Sequence, residues 1–359
     1  MLNIGIIHGF VGGGGGTEKT LHAIIDALEK TDHKVTLYTF SKPSISSKKV
    51  IIKSSLPISI PAFGLYQRAM EPKLISKAKD EDILIQASGG LGLPKNPDQK
   101  IIVYCHSDFT NELENPSTKY RGIWSFYYKS YYHTVKRFLE NIQDSRIYLI
   151  SNSKLIHDSI KSKYNKDSVV LYPPVNLKEF SPTQKENLVV TIGRFSDEKN
   201  LEFGIDVMKK INSQYEIIGN TKTKMNILYY EKLQSKILRD NLGGKTHLLK
   251  NIQRPLLVNC LNKAKVYFHC SRETFGITTV EGIAAGCIPI VSDISGHKET
   301  VPFSELRYTE NDHIQAEEKI TCALNGEFDY QSAQLKEHIK KYDREEFMVN
   351  IIKYIESLE

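Results

Sequence analysis

Glu273 and Glu281 stand on either side of a Phe275-Gly276-Ile277 turn, inside the stretch from Ser271 to Gly286. Carboxylates accept hydroxyl hydrogens, and the unpaired N–H groups of a helix starting near Gly276 and Ile277 would suit a phosphate. Thr274, Phe275, Gly276, Ile277 and Glu281 are therefore candidate ligand-binding positions. A second group lies at residues 193–200, where Arg194 offers a fork of donors and Lys199 a point charge. Such a pair fits a diphosphate, although taken alone the turn reads equally well as a solvated charged loop. Near the front of the chain, five consecutive glycines from Gly12 to Gly16 precede Thr17-Glu18-Lys19. A run so costly in chain entropy points to positive φ or close backbone approach to a ligand, with Gly14, Gly15 and Gly16 next to the helix start. It is not a P-loop, because Glu18 precedes Lys19 where that motif needs glycine. Nor does it fit a dinucleotide fingerprint, because the following strand ends in Phe40-Ser41-Lys42 with no acid for a ribose.

These residues need strand ends to hold them. Apolar β-type runs at 266–270 and 288–291 flank the two glutamates, which predicts strand, loop, short helix, strand and puts the site at a strand's carboxyl end. Thr278 or Thr279 is expected to cap that helix, and Gly286 to close it. In the front half, a strand to Ile7 leads through the glycines into a helix with Leu21, Ile24, Ile25 and Leu28 on one face. Further strands are expected at 34–40, 83–87, 101–105, 147–151 and 169–172. Pro173-Pro174 and the polar stretch to Pro182 read as a linker, after which the alternation restarts with a strand at 188–193, a helix at 201–211 and strands at 215–218 and near 246. The expected class is α/β, with two Rossmann-like domains facing a central cleft, at 1–174 and 175–340. Residues 341–359 form a helix, with Phe347, Ile351, Ile352, Ile355 and Leu358 as its apolar stripe, expected to return to the N-terminal domain.

At 359 residues the chain exceeds the usual size of one core, and 40% hydrophobic with 25% charged residues is ordinary for a soluble protein. No apolar run reaches membrane-spanning length and no signal peptide precedes the first strand, so the expected location is cytoplasmic. Five widely spaced cysteines suggest neither a disulfide framework nor a zinc site. Asp80-Glu81-Asp82 is the paired-acid candidate for a metal, but acids before a strand more often make a solvated turn, and no metal site is expected. The net charge of +6 is uneven: residues 1–185 hold 25 Lys and Arg against 17 Asp and Glu, a surplus of eight. That half is the one suited to an anionic partner. Residues 119–137 concentrate the effect, with five basic residues, the only tryptophan and no acid. Trp124, Lys129, Lys136 and Arg137 fit a membrane interface carrying anionic lipid. The same composition would stack on single-stranded bases, or its aromatics would simply face the core.

Taken in order, the glycine loop, Ile150-Ser151-Asn152-Ser153, Val170 through Asn176, Arg194 with Lys199, and Glu273 with Glu281 resemble the retaining nucleotide-sugar glycosyltransferases of family 4, which have the GT-B fold. The glycine loop and the Glu273 turn are similar in particular to mannosyltransferases that extend lipid-linked oligosaccharides. The resemblance implies that Arg194 and Lys199 hold the diphosphate of a UDP- or GDP-sugar, Glu281 the ribose and Glu273 the sugar hydroxyls, with the Gly276 and Ile277 amides completing the phosphate site. A histidine at the place of His106, after the strand at 101–105, would sit near the transferred sugar. The candidate catalytic set is thus His106, Arg194, Lys199 and Glu273. No cofactor or metal is implied, and the implied acceptor is a glycan on a polyprenyl lipid at the inner membrane face, reached by a peripheral contact. A soluble enzyme of the same fold, such as a nucleotide-sugar epimerase or glucan synthase, is the alternative. A nucleic-acid binder is the remote one, since +6 over so long a chain is small.

Overall fold

The computed structural model describes residues 1–9, 11, 15–41, 45, 47, 49–56, 71, 73–88, 92–110, 113 and 122–359. The chain divides into two compact units, Met1–Pro174 together with Arg344–Glu359, and Val175–Asp343.

In the first unit the described strands are β1 (Asn3–Ile7), β2 (Lys34–Ser41), β3 (Ile51–Leu56), β4 (Ile83–Gln86), β5 (Lys100–Cys105), β6 (Ile147–Ser151) and β7 (Val169–Val170). They pair in parallel in the order β3-β2-β1-β4-β5-β6-β7. Strands covered on both faces read as unbroken apolar runs, and Ile4, Ile6, Ile83, Ile85, Ile102 and Val103 are all buried. The order reverses between β1 and β4, so the chain leaves β1 at the switch point of the sheet. The helices are α1 (Gly16–Leu28), α2 (Ile123–Glu140) and α3 (Lys154–Tyr164). Leu21, Ile24, Ile25 and Leu28 of α1 lie in one core with Phe347, Met348, Ile351 and Ile355 of the last helix, Arg344–Glu356. An ion pair between Arg344 and Asp26 ties that helix to α1.

The second unit holds β8 (Glu186–Ile192), β9 (Gln214–Gly219), β10 (Thr246–Lys250), β11 (Ala264–Phe268), β12 (Ile288–Ser292) and β13 (Arg307–Tyr308). Their order is β10-β9-β8-β11-β12-β13, again parallel. Around them run α4 (Leu201–Met208), α5 (Lys224–Arg239), α6 (Arg254–Lys263), α7 (Ile277–Ala284), α8 (His297–Thr300), α9 (His313–Asn325) and α10 (Ser332–Ile339), before the last helix, α11, in the first unit. Here the order reverses at β8 and β11, which places the residues after both strands at one switch point.

Sequence and structure differ in places. β3 was not expected: its Ile51-Ile52-Lys53-Ser54-Ser55 run lacks clean alternation, and as an edge strand it needs a buried face only in part. The two-residue β13 is too short to leave a pattern. The strand expected at 169–172 is confined to Val169–Val170, ahead of Pro173-Pro174. The helix expected at 201–211 stops at Met208, where Lys245 Nζ donates to the carbonyls of Met208, Lys209 and Ile211.

Candidate functional site

The β8 and β11 strands are neighbours, so the chain leaving each passes the other. After β8, Gly193 to Lys199 make a tight turn, with Asn200 in the left-handed conformation leading into α4. After β11, His269 to Gly276 lead into α7. Lys199 Nζ forms an ion pair with Glu273 Oε1, and His269 Nε2 lies 3.2 Å from the same oxygen. No hydrogen bond reaches Glu273 Oε2 among the described residues, and the side chain is 24% exposed. Burial by itself would raise this carboxyl, yet the His269 and Lys199 contacts outweigh it and hold it well below the usual carboxylate range. Glu273 is thus a fixed anion with one oxygen committed and the other on offer.

A second loop braces the turn. Glu273 N donates to Ser295 Oγ at 3.1 Å, and Gly296 N donates to Glu273 O at 2.8 Å. His297 Nε2 lies 3.2 Å from Ser271 O, with the ring fully buried and edge-on to His269 at 4.7 Å between centroids. Burial, and next the neighbouring His269, push the His297 imidazole down to about 3, so it is neutral near pH 7.

Gly276 precedes α7 with φ of 93°, a left-handed value that L side chains rarely adopt. A Cβ there would also lie 3.0 Å from His297 Nδ1. Thr278 and Thr279 do not cap α7 as expected: both lie inside its first turn, and Gly276 is the cap residue, whose carbonyl accepts from Thr279 N and Val280 N. The N–H groups of Ile277 and Thr278 precede the first helical bond, which is the arrangement that suits an anion. Gly286 closes the helix with φ of 80°, as expected.

Glu281 is 2% exposed and bonded to Arg254 Nη2 at 2.9 Å. Arg254 also donates to both carboxylate oxygens of Glu179, at 2.8 and 2.7 Å. Burial would lower the Arg254 guanidinium, and the Glu179 and Glu281 carboxylates outweigh it and raise it instead. Arg194 is exposed and pairs with Glu198 in its own turn, so Arg194 and Lys199 engage different acids. The Arg194 pair is exposed and the Lys199 pair largely shielded, each a single ion pair on a flexible cationic side chain at the same strand end.

In the first unit, Gly15 precedes α1 and Gly16 begins it. Gly14, like Gly12 and Gly13, lies outside the described residues. His106 follows β5 half-buried, with Nε2 2.9 Å from Ala87 O after β4 and the ring 4.9 Å from Tyr104. On α2, Tyr128, Tyr131, Val135 and Phe138 are buried, while Lys129, Lys136 and Arg137 are exposed. Core packing thus claims those aromatics and leaves the basic residues outward; the Trp124 side chain and residues 119–121 lie outside the described residues. Of the acids at 80–82, Glu81 accepts from Tyr38 at 2.6 Å and Asp82 from Asn3 N at 2.8 Å, bonds that tie down neighbouring strands. No helix among the described residues is long and apolar enough to cross a membrane.

Sequence reasoning missed Arg254, His269, Ser295 and His297. Only His269 carried a signal, a polar residue at the end of an otherwise apolar strand.

Residues 175–346 match the family model for glycosyl transferases group 1, and residues 14–179 match that for glycosyltransferase family 4. Among curated relatives, a Dictyostelium discoideum GDP-Man:Man(3)GlcNAc(2)-PP-Dol alpha-1,2-mannosyltransferase is 21% identical over 70% of this chain, which spans about half (54%) of that protein's length. The human alpha-1,3/1,6-mannosyltransferase ALG2 is 22% identical over 72% of this chain and 68% of its own. Among solved structures, Anabaena HepE in complex with UDP and glucose superposes with a TM-score of 0.73 at 14% identity, covering 99% of this chain and 100% of that one.

Proposed function

The chain belongs to the family 4 glycosyltransferases, and from that premise we propose that it transfers a sugar from a UDP- or GDP-sugar, with retention at the anomeric carbon, to a glycan carried on a polyprenyl lipid at the cytoplasmic membrane face. The observation that carries the reading is the Glu273 carboxylate, its Oε1 held by Lys199 and His269 and its Oε2 on offer beside the start of α7. A sugar hydroxyl would donate to Oε2. The diphosphate would lie against the Ile277 and Thr278 amides, with Lys199 and Arg194 turning from their present acids to the more highly charged ligand. Glu281, held by Arg254, would meet the ribose. The Dictyostelium relative named for a PP-Dol-linked glycan favours the lipid-linked acceptor, and the outward Lys129, Lys136 and Arg137 of α2 favour contact with anionic lipid.

In this reading an acceptor hydroxyl attacks the anomeric carbon from the face the phosphate leaves. The carbon–oxygen bond to phosphate breaks, the new glycosidic bond forms, and the departing phosphate oxygen takes the acceptor's proton. The chain supplies no nucleophile. Its part is to steady the charge growing on the diphosphate, a task for Arg194, Lys199 and the helix start. By the family resemblance His106 would contact the transferred sugar, and Gly14, Gly15 and Gly16 would bind substrate. No resident cofactor or metal enters these steps.

The test is a transfer assay with UDP-glucose or GDP-mannose and a polyprenyl-diphosphate-linked disaccharide in anionic liposomes, with the product's anomeric configuration read by NMR. Product of the donor's own configuration is expected. An inverted product, or turnover of the donor only when no lipid acceptor is present, contradicts the reading.

A further inference from the structure

Tyr267 lies in β11 and His269 directly after it, two residues on, and both are buried. Tyr267 donates its hydroxyl hydrogen to Thr278 Oγ1 at 2.7 Å, and its oxygen lies 2.9 Å from His269 Nδ1. On the far side of the ring, Nε2 lies 3.2 Å from Glu273 Oε1 and 3.2 Å from Ser271 Oγ. A continuous hydrogen-bonded chain, buried at Tyr267 and His269, therefore runs Thr278, Tyr267, His269, Glu273, and it joins the first turn of α7 to the carboxylate. Gly282 makes room for it, since a Cβ there would lie 2.7 Å from the Tyr267 ring.

We propose that His269 is a positioning residue: by pinning Glu273 Oε1 it presents Oε2 to a sugar hydroxyl, and Tyr267 ties that setting to Thr278 beside the phosphate-binding helix start. Lys199 alone does not fix the carboxylate's rotation, because an ammonium on a four-carbon stem is a point charge with movable donors. A rigid ring anchored at both nitrogens does. Both ring nitrogens find the polar partners that a buried imidazole requires, and one of those partners is the Glu273 carboxylate itself. Recognition of the sugar and occupancy of the helix start are then linked, because moving Thr278 moves the chain that sets Glu273.

This inference rests on the donor-site reading above, and the experiment separates the two. Calorimetric titration of UDP, UDP-glucose, GDP and GDP-mannose is run on the full-length wild type and on His269→Leu, His269→Gln and Tyr267→Phe. Wild type is expected to bind one nucleotide sugar more tightly than the matching diphosphate. His269→Leu should keep the diphosphate affinity within about twofold and lose about tenfold for the nucleotide sugar. His269→Gln, whose amide reaches the place of Nε2, should restore part of that loss, and Tyr267→Phe should show a smaller loss of the same kind. Should His269→Leu not fold, the other two variants carry the same comparison. An unchanged ratio of sugar-bearing to sugar-free affinity in the folded variants overturns the inference alone. Failure of wild type to bind any of the four ligands overturns the donor-site reading, and the inference with it.

Discussion

Lys199 and Glu273 lie 74 residues apart in sequence and form an ion pair at the carboxyl ends of the adjacent strands β8 and β11. The pair is largely shielded, with the side chains 16% and 24% exposed. Removing one member of such a pair leaves the other's charge uncompensated. Lys199→Met should therefore lower unfolding stability by about 3 kcal/mol, and adding Glu273→Gln should recover most of it. Urea unfolding of the two single variants and the double variant checks this through the coupling; strictly additive losses would count against it.

Glu273→Gln alone keeps the shape and removes the anion. Transfer should fall by about a hundredfold or more, since a group serving the transition state is lost while the fold is kept. Steady-state kinetics should show the loss in kcat as well as in kcat/KM. Full activity would show that Oε2 does not meet the sugar.

Arg254 bridges Glu179 and the buried Glu281. Arg254→Leu should destabilise the chain by about 3 kcal/mol, and Glu281→Gln in the same background should relieve most of that cost. Thermal unfolding of the single and double variants reads it. If Arg254→Leu is neutral, Glu281 is not held by this contact.

His297 gives a pH signature. Its folded value is lowered to about 3 from an ordinary 6.5, so below 6.5 the unfolded chain binds the proton that the folded chain refuses. Its contribution to stability is complete above 6.5 and declines as pH falls toward 3. Glu273, also lowered, contributes fully above its ordinary 4.5 and loses that contribution only at lower pH, outside the window from 6.5 to 4.5. Within that window the slope due to His297 approaches about 1.4 kcal/mol per pH unit. His338, lowered by burial, adds in the same direction, so the measurement is the difference between wild type and His297→Leu. Urea midpoints at several pH values should show a shallower slope in the variant, and equal slopes would contradict the assignment.

Gly276→Ala should cost about 1–3 kcal/mol and displace the start of α7, because the position requires positive φ and faces His297. A melting temperature and nucleotide affinity like those of wild type would contradict this.

The contrast between Glu273 and His269 shows what the sequence held. Both glutamates, Lys199 and the strand-to-helix turn were legible because local pattern places them: apolar runs mark β11 and β12, and Gly276 and Gly286 mark the ends of α7. The core strands and the α1 stripe were legible for the same reason. The partners were not. Arg254 meets Glu281 across 27 positions, and Ser295 reaches Glu273 across 22, contacts set by strand order rather than by neighbours in sequence. His297 opens the four-residue α8, too short to show a periodicity, and its burial follows from packing against the 271–276 turn. Thr278 and Thr279 misled because cap residues and first-turn residues draw on the same side chains.

In the proposed function the second unit carries a nucleotide-sugar donor site built on Lys199, Glu273 and the start of α7. Calorimetric titration of UDP- and GDP-sugars against wild type and an Arg194→Met/Lys199→Met variant tests it most directly. Saturable binding of one nucleotide class by wild type is expected, with a loss of about tenfold or more in the variant. No binding of either class, or equal affinity in the two proteins, would contradict it.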